Sequence, residues 1–369
     1  METDTFKAMN TTIALQGLPE RWRTLARSWF AFAEAQLSRF LPDSELSRLN
    51  RAEGRPFAAT PLLYQLLAEA DRYCRETNGL FSPYLGRVME RLGYDDSFER
   101  LDAGGTDKGL GSAESRGSDQ MPDSDESRVL NETLGSDACY RSGWHEREAK
   151  ATGKPEADNG TASAGDIDGL RVPDVRPAEL DPRSRIIRLR PELAADLGGI
   201  AKGWTARHLA KLAKQDGVRA GAIGAGGDLI LWGSPPDGWR IGIADPWQLQ
   251  ADKFELTLRK GAGIATSSAI RRRWKSKDGA LRHHIVDPRT GDPAQTDLAQ
   301  ATVIAPDAVM AEVYVKCVLL LGADAGKAWL ERHNPGCAMV GILKNGEMRF
   351  GGDLEPFAMK EAGGYERIS

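Results

Sequence analysis

The chain has 369 residues, and its 49 lysines and arginines nearly balance its 53 aspartates and glutamates, giving a formal net charge of −4. This balance leaves no electrostatic footprint for nucleic acid or an anionic membrane, so the expected partner is a small molecule or another protein. Four scattered cysteines, no signal-peptide pattern at the start and no apolar run of the ~20 residues that a membrane span needs predict a soluble, cytoplasmic protein with reduced thiols.

The first hundred residues predict one strand followed by helices. Thr11–Leu15 is a short β-favouring run, and apolar residues then recur at helical spacing from Trp22 to Phe40. Leu46–Asn50 has mixed polarity and is predicted to be a turn or loop. Two pairs of a hydroxyl residue and proline combine an N-cap with proline at the first helical position. They predict helices over Leu62–Thr77 and Tyr84–Arg91.

Residues 102–169 are predicted to form a disordered insertion. They are rich in Gly, Ser, Asp, Glu, Lys and Asn and contain very few large apolar residues. Such a segment cannot bury enough apolar surface to offset the entropy that it loses on ordering. We therefore expect one domain built from residues 1–101 and 170–360, interrupted by this insertion and followed by a tail over residues 361–369.

The second half of the chain completes an α+β pattern. A helix over Ile200–Gln215 precedes short strands separated by turns, which is typical of an antiparallel or mixed sheet. His283–Val286 is predicted to be one of these strands. A buried helix is predicted over Ala308–Leu321, and Asn345-Gly346 predicts a hairpin. The other predicted strands are Ile186–Leu189, Ala220–Ile223, Leu229–Trp232, Trp239–Ile243, Phe254–Leu258, Gly263–Thr266, Ala301–Ile304, Cys337–Leu343 and Met348–Phe350.

The stretch Asp196–Trp204 is the strongest candidate for a binding site. Gly198 and Gly199 lie where a predicted helix begins, and unpaired N–H groups and the positive end of the helix dipole favour a phosphate there. Lys202 adds a positive charge, and Asp196 is predicted either to cap the helix or to accept a hydrogen bond from a ligand. Short glycine motifs are common, so a capped helix that merely packs through its glycines is an equal alternative.

A second candidate site surrounds two adjacent histidines. His283 and His284 could exchange protons near neutral pH, but neighbouring strand residues point to opposite faces, so only one of them is expected to line a pocket. The following Asp287–Gly291 is either a plain tight turn or a rigid support that presents Arg289 to a ligand. Arg271–Arg273 offers guanidinium groups for phosphates or forms a solvated basic patch.

Five motifs, taken together and in order, resemble those of the FAD:protein FMN transferase family, the ApbE-like flavin transferases. They are Asp43-Ser44-Glu45-Leu46-Ser47-Arg48-Leu49-Asn50, Phe81-Ser82-Pro83-Tyr84-Leu85-Gly86, Asp196-Leu197-Gly198-Gly199-Ile200-Ala201-Lys202-Gly203, Gly226-Gly227-Asp228 and His284-Ile285-Val286-Asp287-Pro288-Arg289-Thr290-Gly291. The resemblance runs from about Met9 to Gly352, apart from the insertion. It implies an ApbE-like, T-fold-like α+β architecture with mixed or antiparallel sheets and packed helices.

The resemblance also implies a reaction. In that family FAD binds with a magnesium ion at its pyrophosphate, and FMN is transferred to a serine or threonine hydroxyl of an acceptor flavoprotein with release of AMP. Asp196 and Lys202 are implied to contact FAD. Further FAD contacts are implied for Met9, Phe40, Leu92, Gly93, Tyr94 and Val286, with Phe40 in the position of an aromatic stacked on the isoalloxazine ring. His284 or the Asp287 carboxylate is predicted to accept the proton of the acceptor hydroxyl.

The metal ligands depart from the family pattern. The resemblance implies the Gly199 carbonyl as one magnesium ligand and two more ligands, an aspartate and a threonine, on the helix over Ala308–Leu321. This chain has Glu312 and Lys316 at those two positions. A charged ammonium has no lone pair to give a metal, so Lys316 cannot be a ligand and normal magnesium binding is not expected. Glu312 and Lys316 are spaced i,i+4 and are predicted to form an ion pair.

Three functions stay open from the sequence. The first is flavinylation, with the Lys316 ammonium replacing the metal charge on the pyrophosphate. The second is a non-catalytic FAD-binding protein that stores, carries or senses flavin. The third is a pyrophosphatase that splits FAD into FMN and AMP.

Overall fold

An eight-stranded antiparallel sheet organises the structure, a computed structural model that describes residues 3–94, 176–248, 250–276, 279–355 and 357. In order across the sheet, its strands are β1 (Thr3–Ala8), β2 (Thr11–Gln16), β6 (Gly221–Ala225), β7 (Asp228–Trp232), β10 (Gly263–Ser268), β15 (Leu298–Ala305), β16 (Ala338–Leu343) and β17 (Met348–Gly352). The predicted α+β class is confirmed, with every pair in this sheet antiparallel. The hairpin predicted at Asn345-Gly346 joins β16 to β17, and Gly346 has φ 88°.

Four small sheets accompany the large one. Strands β3 (Phe57–Ala58), β5 (Ile186–Leu189) and β4 (Ala178–Asp181) form a three-stranded sheet. Three two-stranded sheets are formed by β8 (Trp239–Ala244) with β9 (Asp252–Leu258), β11 (Arg273–Lys275) with β12 (Leu281–His283), and β13 (Val286–Asp287) with β14 (Asp292–Pro293).

Seven helices occur in the described ranges: α1 (Glu20–Leu37), α2 (Glu45–Asn50), α3 (Pro61–Glu76), α4 (Gly86–Arg91), α5 (Ala201–Gln215), α6 (Ala308–Leu321) and α7 (Ala323–His333). Local caps fix two of the predicted starts. The Thr60 hydroxyl accepts from the Leu63 N–H ahead of α3, and the Asp307 carboxylate accepts from the Val309 N–H at 2.9 Å ahead of α6. None of these helices is long and apolar enough to cross a membrane.

The large sheet separates two hydrophobic layers. Helices α1, α5 and α6 cover one face, while the β8–β9 hairpin covers the other. Alternation along β15 shows the division, since Val303 belongs to the helical layer and the adjacent Ile304 to the other layer. Most of α6 is buried, as its apolar sequence predicts. The charged residue Glu312 on α6 is buried with the apolar residues of the helix.

Three local predictions are wrong. Leu46–Asn50 is part of helix α2 rather than a loop, because the Ser44 hydroxyl caps it and Leu46 and Leu49 are both buried. Helix α4 begins at Gly86, two residues after the predicted start, because the Ser82 hydroxyl accepts from the Tyr84 N–H and holds a turn.

The third concerns the predicted strand His283–Val286. The chain bends at His284, so β12 ends at His283 and β13 begins at Val286. Each short strand pairs within its own hairpin. The predicted insertion over residues 102–169 and the predicted tail over residues 361–369 lie outside the described residues.

Candidate functional site

A large open cleft lies where the start of α5 meets the end of α1 and the later turns of α6. It encloses about 1270 Å³, including its solvent-filled mouth. Concave clefts of this kind are where proteins usually bind small molecules. The turn between β1 and β2 and parts of the segment Leu80–Leu85 and of the loop His284–Pro288 also line it.

Most of the predicted site residues meet in this cleft. Those that line it are Met9, Phe40, Tyr94, Asp196, Gly199, Lys202, His284, Val286 and Lys316. Four others do not line it: Leu92, Gly93, Asp287 and Glu312. The structure therefore gathers motifs from both halves of the chain into one concave site.

The glycine stretch forms the turn that leads into α5. The Gly198 N–H donates to Asp196 Oδ1 at 2.8 Å, and the residue before the helix, Ile200, provides no side-chain cap. The alternative in which Asp196 caps the helix is therefore wrong, because its carboxylate is used ahead of the first turn. The Gly199 N–H makes no hydrogen bond within the described part of the chain. It lies near the start of α5, where an anion is favoured.

Arg39, which had not been predicted as a site residue, holds Asp196 in place. Its Nε donates to Asp196 Oδ2 at 2.7 Å, and its Nη2 donates to the Tyr94 carbonyl at 2.6 Å. The guanidinium carbon also lies 4.2 Å from the centre of the Phe40 ring. Only 7% of the Arg39 side chain is exposed. No local pattern reveals this arginine, because Asp196 lies 157 residues away in sequence.

Four charged side chains form a cluster beneath the cleft. Lys202 Nζ lies 2.7 Å from Glu312 Oε1 and 3.0 Å from Asp228 Oδ2. The Gly203 N–H donates to Glu312 Oε2 at 2.9 Å. Lys316 Nζ lies 3.9 Å from Glu312 Oε1 and donates to the Glu312 carbonyl oxygen at 2.7 Å. Lys202 is thus paired twice and is not the free cation that the sequence suggested for phosphate.

Burial and mutual charge set the pKa values of this charge cluster. Burial opposes charge on Lys202, but Asp228 and Glu312 raise the Lys202 pKa above its ordinary value. Burial together with the Glu312 charge raises the pKa of Asp228 to about 6. Burial opposes ionisation of Glu312, yet Lys202 and Lys316 lower the Glu312 pKa. Burial lowers the pKa of Lys316 despite the opposing attraction of Glu312.

The side chains present do not fit a magnesium ion. Both Glu312 carboxylate oxygens already accept hydrogen bonds, from Lys202 and from Gly203. Lys316, at the position of another implied ligand, offers no lone pair while it is charged. No group of three or more His, Cys, Asp or Glu residues that could hold a metal occurs among the described residues. Magnesium needs near-octahedral oxygen ligation, which this arrangement does not provide.

Aromatic rings form a second wall of the cleft. The Tyr94 ring stacks on Trp274 with centroids 4.9 Å apart, and the Phe40 ring meets the edge of Tyr94 at 5.6 Å. Trp274 Nε1 donates to the Leu92 carbonyl at 2.9 Å. Gly93 has φ 82°, a conformation that favours glycine, and lies beside the same indole. Leu92 and Gly93 therefore shape this aromatic wall from behind.

His284 is the titratable side chain of the loop His284–Pro288 that faces the cleft. Its Nδ1 is buried and has no hydrogen-bond partner within the described residues. Burial, followed by the nearby charges of Arg272 and Lys316, lowers its pKa well below the usual range. The imidazole is therefore neutral at neutral pH. His283 points elsewhere and contacts the Ala294 carbonyl at 3.2 Å.

Asp287 serves the turn beside His284. Its carboxylate accepts from Arg289 Nη2 at 2.6 Å, from Arg289 Nε at 2.8 Å and from the Arg289 N–H at 2.9 Å. Although burial opposes ionisation, these hydrogen bonds lower the pKa of Asp287. Gly291 closes the turn with φ 73°. Arg289 is thus paired with Asp287 inside the turn. Its guanidinium has this position whether the segment is a plain tight turn or a support that presents Arg289 to a ligand.

The motif Asp43–Asn50 supports the cleft from outside. The Asn50 amide donates to the Ala195 carbonyl at 2.9 Å and accepts from the Ala195 N–H at 2.7 Å. The Ser47 hydroxyl donates to the Arg39 carbonyl at 3.2 Å. The motif therefore fixes the backbone on either side of the Arg39–Asp196 pair.

The turn between β1 and β2 places Met9 at the cleft. Met9 and Asn10 have φ of 51° and 55°, the conformation of tight hairpin turns. The Met9 N–H donates to Glu34 Oε2 at 2.8 Å, which ties the turn to α1. Val286 enters from the other side and packs with Trp274.

Known proteins resemble this chain in both sequence and structure. The FAD:protein FMN transferase of Escherichia coli (strain K12) is 33% identical over 159 residues, which is 42% of this chain and 44% of that protein. The aligned part therefore spans less than half of the length of this relative. The FAD:protein FMN transferase of Treponema pallidum is 25% identical over 329 residues, covering 86% of this chain and 75% of that protein.

The fold is shared as well. The crystal structure of the ApbE protein from Thermotoga maritima superposes with a TM-score of 0.69 at 21% identity, over 97% of this chain and 99% of that one. The sequence pattern described as the ApbE family matches residues 9–340. That match takes in all five motifs and every strand and helix lining the cleft, and the chain belongs to the ApbE family.

Proposed function

We propose that this protein transfers FMN from FAD to a serine or threonine hydroxyl of an acceptor protein and releases AMP. The observation that carries the proposal is the meeting of Asp196, Lys202, Phe40 and His284 in one cleft. Membership of the ApbE family and the names of its relatives support the same reaction. FAD is the proposed substrate.

FAD can lie along the cleft with its isoalloxazine ring and its pyrophosphate each next to protein groups of complementary chemistry. The aromatic wall of Phe40 and Tyr94 suits the isoalloxazine ring, because aromatic faces stack. The start of α5, with its Gly199 N–H, suits the pyrophosphate. We propose that Asp196 contacts the ligand from its place beside Arg39, whose ion pair fixes the carboxylate.

His284 is the proposed proton acceptor. The acceptor hydroxyl oxygen attacks the phosphorus of the FMN half, and a new O–P bond forms. The P–O bond to the AMP phosphate breaks, AMP leaves with the bridging oxygen and its electron pair, and the hydroxyl proton passes to His284. A neutral imidazole with an unpaired, buried Nδ1 fits this role better than Asp287, whose carboxylate is already bonded to Arg289.

The test is direct. The purified protein is incubated with FAD and a threonine-containing acceptor peptide, with magnesium or with EDTA, and AMP and covalently bound FMN are measured by chromatography and mass spectrometry. Stoichiometric AMP and peptide-bound FMN are expected. AMP with free FMN and no modified peptide would indicate a pyrophosphatase, and bound FAD without either product would indicate a binding protein.

The neighbouring histidines supply a matched pair of variants. His284→Asn should lose transfer while still binding FAD, because it removes the proton acceptor. His283→Asn should keep transfer, because His283 contacts the Ala294 carbonyl and does not line the cleft. Equal losses in both variants would contradict the assignment.

The acceptor protein and the compartment form the last part of the proposal. We propose a cytoplasmic reaction, which is consistent with the free thiols of Cys74, Cys317 and Cys337. The acceptor needs an accessible serine or threonine that can reach into the cleft beside His284.

A further inference from the structure

A lysine already lies on the cleft wall where the family resemblance implies a metal ion. Lys316 follows Glu312 by one helical turn on α6, and its stem runs along Gly199. A β-carbon added to Gly199 would lie 3.1 Å from Lys316 Cε, so the glycine makes room for the lysine. Lys316 lines the cleft, and 18% of its side chain is exposed. Its ammonium can therefore meet a ligand.

The charge cluster is balanced without a metal. Lys202 and Lys316 carry two positive charges, and Asp228 and Glu312 carry two negative charges when ionised. A divalent cation would add two positive charges next to the Lys316 ammonium. Like charges at such short range repel strongly in a partly buried site.

An anion is the complementary ligand. Glu312 Oε1 lies 2.7 Å from Lys202 but 3.9 Å from Lys316, so the Lys316 charge is only partly compensated. Arg272 lines the same cleft and forms no ion pair within the described ranges. Lys316 and Arg272 together present two positive charges, the number that a magnesium ion carries.

We propose that the Lys316 ammonium, together with Arg272, binds the FAD pyrophosphate in place of a divalent metal ion, so that this protein needs no metal to hold FAD. Lys316 donates hydrogen bonds to the non-bridging phosphate oxygens. The inference rests on the proposed function for the identity of the ligand. Its test is therefore a binding measurement, which is separate from the transfer assay.

The first measurement is FAD affinity, followed by flavin fluorescence in excess magnesium and in excess EDTA. The wild-type protein should bind FAD equally well in both. Lys316→Met should bind on the order of ten- to hundredfold more weakly, the usual effect of a lost charge-assisted hydrogen bond. Lys316→Arg keeps the charge and should bind more tightly than Lys316→Met. The control is Lys214→Met, an exposed lysine in the last turn of α5, which should not change the affinity.

The second measurement uses Mn²⁺ as a paramagnetic probe for a metal site. The wild-type complex with FAD should bind no more Mn²⁺ than the FAD alone binds. The double variant Glu312→Asp with Lys316→Thr recreates the ligand pattern that the resemblance implies. It should gain Mn²⁺ binding and a magnesium-dependent FAD affinity.

Three outcomes would overturn the inference. These are FAD binding by the wild type that requires magnesium, a tight Mn²⁺ site in the wild-type complex, and a folded Lys316→Met protein that binds FAD as well as the wild type. Circular dichroism establishes that the variants are folded. Metal-independent binding without FMN transfer supports the inference and overturns only the transferase proposal, whereas no FAD binding under any condition overturns both.

Discussion

Replacing Glu312 with glutamine removes one buried charge and keeps the shape of the side chain. Glu312 is 0% exposed and accepts hydrogen bonds from Lys202 Nζ at 2.7 Å and from the Gly203 N–H at 2.9 Å. The substitution leaves the ammoniums of Lys202 and Lys316 against the single carboxylate of Asp228. Breaking a buried ion pair by removing one partner typically costs ~3–5 kcal/mol, because the other charge is left without compensation.

We therefore expect Glu312→Gln to lower the free energy of unfolding by about 3–5 kcal/mol. Urea denaturation followed by the fluorescence of the nine tryptophans measures this change. The matched control is Glu347→Gln, which removes an exposed carboxylate that pairs with Arg349. An exposed pair contributes little, so the control should barely move the denaturation midpoint.

The double variant Glu312→Gln with Lys316→Met separates charge balance from packing. It leaves Lys202 opposite Asp228, and the cluster again has no net charge. We expect it to be more stable than Glu312→Gln alone, with a coupling free energy of about 1–3 kcal/mol. A double variant that loses at least the sum of the two single losses would refute the charge-balance reasoning.

Three further predictions follow from the site. His284 should stay neutral at pH 6.5 because burial and nearby cations lower its pKa, and an NMR titration midpoint at or above 6.5 would contradict this. Arg39→Lys cannot reproduce the two hydrogen bonds of the guanidinium. It should weaken FAD binding roughly tenfold by releasing Asp196, and unchanged affinity would argue against the role of Arg39. Gly203→Ala places a β-carbon 2.8 Å from Glu312 Oε2. It should lower the free energy of unfolding by ~1–3 kcal/mol, as measured by thermal unfolding. An unchanged melting temperature would show that the charge cluster rearranges to accommodate the added carbon.

Local signals in the sequence predicted most elements of the fold. The Thr60-Pro61 pair marks the start of α3, and Asn345-Gly346 marks the last hairpin. Both signals are local, because each pair determines the conformation of its own backbone. The apolar run of Ala308–Leu321 is also a local signal, and it predicted a buried helix. Strand β1 was missed, because Thr3–Ala8 mixes polar and apolar residues and is stabilised by pairing with β2.

The contacts that shape the site are long-range and could not be read from spacing. Arg39 and Asp196 are 157 residues apart, and Lys202 and Glu312 are 110 residues apart. Nine of the residues implied by the family resemblance line the cleft and four do not, and no motif predicted their partners. The i,i+4 rule correctly predicted the Glu312–Lys316 pair, although Glu312 lies closer to Lys202.

Glu312 lies closer to Lys202 than to Lys316, and this changes the interpretation of the stretch Asp196–Trp204. The sequence suggested that Lys202 would supply the positive charge for a phosphate at Gly198 and Gly199, but Lys202 is held by Asp228 and Glu312. Glutamate has one methylene more than aspartate, and here its carboxylate reaches across to α5. Lys316 is left 3.9 Å from that carboxylate, with its stem against Gly199. The two departures from the family pattern thus act together, because the longer carboxylate pairs with Lys202 while the new lysine brings a partly compensated positive charge to the cleft.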